Sequence, residues 1–210
     1  MSANERPILL IGAGGHATAC IDVIERHGVF TVAGLVGLVE EVGRRVLDYP
    51  VVGTDADLLT LHADCQHALV GMGHIKSCRP RRGAFEMLQR IGFDLPVIVS
   101  PLAYVSKHAA LGAGTIVMHD AVVNAGAVVG RNCIINTQSL IEHDAVIADH
   151  CHIATAAVIN GGARVGVGTF VGSNSTVREL VSIGADCVIG MGQRVLADCA
   201  PATVVTKGAS

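Results

Sequence analysis

Residues 116–147 read IVMHDAVVNAGAVVGRNCIINTQSLIEHDAVI, and this stretch decides the fold. Val117, Val123, Val129, Ile135, Ile141 and Ile147 stand six residues apart. Working outward, the register holds without insertion from Val99 to Val195, seventeen aliphatic positions in a row. Four residues after each stands a second column, from Ala103 to Cys199, in which fifteen of seventeen residues are Ala, Cys, Ser or Thr. A helix repeats near 3.6 and a plain strand every second residue, so a sustained hexad array marks a parallel β-helix. Each hexad supplies a short strand and a turn, and three hexads close a triangular coil. The seventeen hexads give between five and six coils. The aliphatic residue fills the interior and the small one lets the chain bend at the corner. Gly112, Gly114, Asn124, Gly130, Asn132, Asn160, Gly166 and Gly168 fall at the turns and are expected to take positive φ.

The composition agrees. Of 210 residues, 50% are hydrophobic but only 3% aromatic, as a narrow aliphatic interior requires. The formal charge of -3 supplies no basic field for nucleic acid or an anionic membrane. Mean hydropathy is +0.52, yet no apolar run reaches the roughly 18–20 residues of a spanning helix. The start MSANERP does not read as a signal peptide. Seven Cys, an odd number without a CxxC pair, point to reduced thiols and a cytoplasmic protein. Four of them fall in the small column, where they read as core spacers.

Before Val99 the pattern is different. ILLI at 8–11 precedes GAGGH and a helical stretch, Ala17 to His27. Further strands are expected at Thr31 to Leu38, Ala68 to Met72 and Pro96 to Val99, with helices at Asp55 to His62 and Arg82 to Ile91. Alternating strands and helices imply a small parallel sheet with right-handed crossovers. The expected organisation is a Rossmann-like α/β unit over 1–98 and a β-helix over 99–210.

Several groups carry possible chemistry. His143, in IEHD, lies two places after an interior Ile, near a corner where side chains reach the outside. An imidazole there suits proton acceptance near neutral pH, and the adjacent Asp144 carboxylate would stabilise imidazolium; the alternative is a solvated turn residue. GAGGH (Gly12 to His16) follows a strand and opens a helix, so its N–H groups are placed to hold phosphate or a sugar hydroxyl, or it is simply a tight turn. Ala17 stands where a G-x-G-x-x-G dinucleotide fingerprint needs its last glycine, which disfavours NAD. Asn136 orients substrate or caps a turn. Cys151 beside His152 offers a Cys–His pair, but its place in the small column argues for burial. His150 and His152, with His108 and His119, raise the possibility of zinc; the spacing does not match that of the trimeric β-helix carbonic anhydrases, and no metal is expected.

With these motifs in hand, the chain resembles the hexapeptide-repeat acyltransferases with left-handed β-helices. It looks most like bacterial nucleotide-sugar N-acetyltransferases and sialic-acid O-acetyltransferases. GAGGH, INTQSLIEHDAVI and CHIATAA carry the likeness. The resemblance implies left-handedness, acetyl-CoA as cosubstrate, direct transfer without an acyl-enzyme, and His143 as general base supported by Asp144. It implies cofactor contacts at His152, Ser173 and Met191, and substrate contacts at Gly14, Gly15, His16 and Gly53; Asn136 stands beside them as a further candidate substrate contact. A cofactor groove shared between chains implies a homotrimer.

Three departures stand out. The acidic pair that commonly ends the second strand is absent from GLVGLVEE, where Glu40 and Glu41 come later. The third strand runs into GMGHI, with His74 as a substrate contact or a loop residue. The C-terminus reads VVTKGAS. The expected function is acetylation of the amino group of a nucleotide-linked amino sugar for surface glycans. O-acetylation of a sialic-acid-like sugar and a non-catalytic β-helix scaffold stand as alternatives.

Overall fold

The computed structural model describes residues 6–206. The first five and last four residues, including the end of VVTKGAS and most of MSANERP, lie outside that range. The chain opens with β1 (Arg6–Ile11), α1 (Gly15–His27), β2 (Phe30–Val36), β3 (Arg45–Val46), β4 (Tyr49–Gly53), α2 (Leu58–Asp64), β5 (His67–Val70) and α3 (Arg79–Ile91). The sheet order is β3-β4-β2-β1-β5. Only the β3–β4 edge pair is antiparallel; β1 lies between β2 and β5 and pairs parallel with both. Residues Ile8 to Ile11 are at most 2% exposed, which explains an unbroken apolar run rather than alternation. Gly28, at φ 72, stops α1 in the left-handed conformation and donates to the Ile24 carbonyl.

Two details differ from the sequence reading. The β3–β4 hairpin was not anticipated, because its strands are short and carry Pro50 at an edge. Pro96 to Val99 is not a fourth strand of this sheet. Only Ile98–Val99 is extended, and it pairs with Ile116–Val117 as the first rung of the β-helix.

The β-helix is built as the hexads require. Each two-residue strand pairs in parallel with the one eighteen residues on, as in Val123↔Ile141, Val129↔Ile147 and Ile135↔Ile153. Three sheets of six, five and seven strands result. Both columns, Val117 to Val195 and Ala121 to Cys187, merge into one core whose members are at most 4% exposed. At the C-terminal end the register shortens by two residues, Val188 pairing with Val204.

The turn expectation needs correction. Positive φ recurs every six residues at the third position after the interior aliphatic, whatever residue stands there: Asp120, Asn132, Gln138, Asp144 and Ala156 all adopt it. Of the residues expected to do so, only Gly114, Asn132 and Gly168 do. Gly112 and Gly166 serve a different need. A Cβ on Gly166 would stand 2.5 Å from Gly184 C and Ala185 N of the next coil, so the constraint is close backbone approach. Asn124 and Asn160 instead donate from Nδ2, to Glu142 Oε2 at 2.9 Å and the Val177 carbonyl at 2.8 Å.

Two of the polar links between the α/β unit and the β-helix are made from α1 and α3. Asp22 of α1 accepts from His119 Nε2 at 2.7 Å, and His119 Nδ1 lies 2.6 Å from Ser100 Oγ. The order resembles a nucleophile triad, but Ser100 is 1% exposed and no substrate reaches it. The second link is Arg81, fully buried on α3. It donates to the Val70 and Met72 carbonyls after β5, at 2.6 and 2.7 Å, and to the Asn132 carbonyl of the β-helix at 3.1 Å.

Candidate active site

The ends of β1, β2 and β5 open onto a cavity of about 710 Å³. This is where an open parallel sheet reverses its strand order, the usual ligand position in such folds. Gly12 to His16 form its floor. Gly12, at φ 109, crosses so close to Met72 that a Cβ would collide with it. Gly14 and Gly15 have no neighbour within 4 Å of an added Cβ, so space is open beside the first N–H groups of α1. No side chain caps them, which leaves unpaired donors and the positive end of the helix dipole for an anion.

On one flank the cavity is lined by Leu38, Glu41 and Asp55. Glu41 folds back to the end of β2, where its carboxylate accepts from the Leu38 N–H at 3.0 Å and pairs with Arg44 at 3.3 Å. Carboxylates thus reach the cavity wall from the turn over Val39–Glu41 and from Asp55, although the strand end itself carries none.

The other flank comprises Met72 to Ile75 and, from the β-helix, His152. The His74 and His152 ring centroids lie 5.5 Å apart, and those of His16 and His152 lie 6.1 Å apart. His152 donates from Nδ1 to the His74 carbonyl at 2.8 Å, leaving Nε2 to accept from Asn136 Nδ2 at 3.2 Å. Burial holds these imidazoles uncharged, helped by the Arg81 guanidinium. It pushes His16 and His74 down to about 3 and His152 to about 4.

His143 stands elsewhere, on the outside of the β-helix. Its side chain is 66% exposed. Nδ1 lies 2.9 Å from Asp144 Oδ2, so Asp144 accepts the Nδ1 proton and Nε2 is left free. That hydrogen bond, with the charges of Asp144 and Glu142, raises the His143 pKa above the ordinary imidazole value. The positive φ at Asp144 turns its carboxylate back toward the preceding ring. Gly161 leaves room for the ring: a Cβ there would lie 2.7 Å from Nε2. A crevice bounded by Glu142, His143, Asp144, Asn160, Gly161, Gly162, Glu179 and Leu180 surrounds it.

The other candidates fall as follows. Gly14, Gly15, His16 and His152 line one cavity. Asn136 does not line it but holds His152. Gly53 lies behind the wall, its carbonyl accepting from Gly37 N–H at 3.0 Å. Ser173 and Met191 stack eighteen residues apart on another corner of the prism from His143, and Met191 is 74% exposed. Cys151 is fully buried and its Sγ faces the Gly166 carbonyl at 3.1 Å. Among the described residues, no three His, Cys, Asp or Glu side chains gather as metal ligands, and no helix is long and apolar enough to cross a membrane.

Sequence reasoning passed over Asp55 and Arg81 as site residues. Arg81 was detectable: it occupies the first position of the buried face 81, 84, 85, 88 of α3, where a charge needs a reason.

Comparison with known proteins places these features. The profile of the PglD N-terminal domain matches residues 7–88. A structure of a perosamine N-acetyltransferase variant from Caulobacter crescentus, in complex with CoA and GDP-perosamine, is 32% identical. The match covers 94% of this chain and 92% of that one, with a TM-score of 0.89. The acetyltransferase domain of PglB from Neisseria gonorrhoeae, in complex with acetyl coenzyme A, is 30% identical, covers 96% of each chain and has a TM-score of 0.88. WeeI from Acinetobacter baumannii, at 18% identity and a TM-score of 0.84, shares the fold. No curated protein sequence matches the chain. The β-helix is therefore left-handed, the Rossmann-like unit precedes it, and the chain belongs to the hexapeptide-repeat nucleotide-sugar acetyltransferases that carry a PglD N-terminal domain.

Proposed function

We propose that this protein transfers acetyl from acetyl-CoA to the amino group of a nucleotide-linked amino sugar, in the cytoplasm, as a step toward a surface glycan. The observation that carries the reading is the pairing of an anion-receptive cavity at the start of α1 with an exposed imidazole whose Nε2 is free and whose Nδ1 is held by Asp144. The cavity takes the diphosphate at Gly14 and Gly15, with the ribose hydroxyls toward Glu41 and Asp55. The sugar amine attacks the thioester carbonyl while His143 Nε2 takes its proton. As the carbon–sulfur bond breaks, the imidazolium returns that proton to the departing thiolate. Backbone N–H groups hold the tetrahedral oxyanion. The similar proteins bound to CoA, acetyl-CoA and GDP-perosamine support both substrates.

The working unit in this reading is a cyclic homotrimer. Within one chain the cavity and the His143 crevice share no lining residue, and Ser173 and Met191 sit on a different corner from His143. In this reading the groove between two prisms has one chain's Ser173 and Met191 facing another's His143. The exposed Leu180 (77%) and Met191 supply apolar surface for that contact. The free, mostly buried thiols suit a reducing compartment. A scaffold reading leaned on the missing acidic pair, and Glu41 and Asp55 remove that support.

The test is thiol release from acetyl-CoA with UDP-, GDP- and dTDP-linked amino sugars, set against sialic acids. Turnover is expected with a nucleotide amino sugar, falling about 10²- to 10⁴-fold in His143→Ala with the mass in solution unchanged. Acetylation of sialic acid alone would select the O-acetyl alternative. Unchanged turnover in His143→Ala would remove that residue from the mechanism.

A further inference from the structure

The β5 flank of the cavity holds a group that the mechanism above does not use. His74 is 7% exposed and lines the cavity, yet neither ring nitrogen has a hydrogen-bond partner. The Gly168 carbonyl approaches the ring without completing a bond. The ring is not loosely placed. Its own backbone carbonyl accepts from His152, and it packs edge-on between His152 and Phe170, at centroid distances of 5.5 and 6.5 Å. Beside it, His16 Nε2 is likewise buried and unpartnered. Orphaned donors and acceptors in a packed wall are costly unless something else satisfies them, and both rings belong to the wall of the cavity in which a ligand belongs.

We propose that His74 is a specificity-determining residue that reads a hydroxyl of the hexose ring, which rests on the nucleotide-sugar reading above. Position selects the sugar rather than the nucleoside. The diphosphate sits centrally, at the start of α1. The flank built from β2 and β4 offers the carboxylates of Glu41 and Asp55, acceptors suited to ribose hydroxyls. The opposite flank joins β5 to the β-helix, the half of the molecule where acyl transfer takes place. Chemistry selects a hydroxyl. A neutral imidazole offers one donor and one acceptor. A phosphate oxygen only accepts and an ammonium only donates, whereas a hydroxyl does both and satisfies either ring nitrogen. Burial and the nearby Arg81 keep the His74 ring neutral across the physiological range, so this two-sided character persists.

The experiment is calorimetric titration of the whole protein with the best nucleotide amino sugar of the panel and, separately, with its bare nucleoside diphosphate. His74→Phe keeps the ring packing and removes both nitrogens; His74→Asn restores a donor and an acceptor. The expected result for His74→Phe is a Kd for the nucleotide sugar weakened about tenfold or more. Its Kd for the nucleoside diphosphate and its KM for acetyl-CoA stay within about twofold of the unmodified protein's, and His74→Asn recovers most of the loss. Should the larger ring disturb the turn, as a thermal melt would show, His74→Ala gives the same comparison. Equal weakening of both ligands assigns His74 to scaffolding and overturns the proposal, as does unchanged affinity for the sugar. If the unmodified protein neither binds nor acetylates any nucleotide amino sugar, the functional reading falls, and this inference with it.

Discussion

Replacing Gly161 with alanine probes the proposed catalytic arrangement without altering His143 or Asp144. The backbone tolerates the change, because Gly161 is not among the positive-φ glycines. The added methyl would stand 2.7 Å from His143 Nε2 and 2.8 Å from Cε1, where ordinary contact begins at 3.4 Å. The imidazole must therefore withdraw by about 0.7 Å or rotate, and a displacement of about 1 Å at a reacting group costs on the order of 10²-fold. Since the ring is exposed and free to swing, the movement costs little stability. It also stretches the 2.9 Å bond to Asp144, the main cause of the raised His143 pKa. Gly161→Ala is accordingly expected to lower kcat by about 10- to 100-fold, to leave the melting temperature and the KM for acetyl-CoA nearly unchanged, and to move the acid limb of the rate profile to lower pH. Steady-state thiol release across a pH series, beside a thermal melt, reads all of these. A variant with full kcat and an unshifted acid limb would refute the reasoning, because it would mean that the position of this imidazole is irrelevant to the rate.

Four further outcomes are expected. A base works only when unprotonated, so activity falls as pH drops through the raised His143 pKa. Asp144→Asn removes the charge and weakens the bond, so the acid limb moves to lower pH while the plateau rate drops, as a pH–rate series would show. Cys151→Thr should keep full turnover and cost less than about 1.5 kcal/mol in urea unfolding: one coil on, Thr169 Oγ1 already makes the equivalent bond, to the Gly184 carbonyl at 2.8 Å. Loss of activity there would revive a thiol nucleophile. Gly166→Ala pushes a methyl against backbone atoms at 2.5 Å and should cost about 1–3 kcal/mol. Gly83→Ala, on an exposed helical site with open space around it, should instead add about 0.5–1 kcal/mol; melts that fail to separate the two variants would contradict this account of the coil corners.

The β-helix was legible in the sequence because its constraint is local and repeated. An interior only a few side chains wide demands an aliphatic group every sixth residue, and Val117 to Val195 display it. The φ angles at the corners were not legible from residue type, because coil closure imposes them on Asp120, Gln138 and Ala156 as firmly as on Gly114. His143 and Asp144 could be picked out since both lie within one turn. The cavity could not be assembled beforehand. Glu41 reaches the end of β2 through a short turn, Asp55 arrives from β4, and His74 meets His152 seventy-eight residues away through a backbone carbonyl. Those encounters depend on how the sheet is docked to the prism, which Arg81 and the Asp22–His119–Ser100 chain arrange over long sequence separations.

The eighteen-residue stacking has a consequence for how such a chain changes its length. One residue inserted between Val117 and Ile189 would rotate every later side chain by a place, driving polar groups indoors and apolar ones out along the remaining storeys. Growth or shrinkage in that span is tolerable only in whole storeys, so length is quantised there. The shortened rungs, Ile183 against Cys199 and Val188 against Val204, sit at the top, where nothing above them must stay in step.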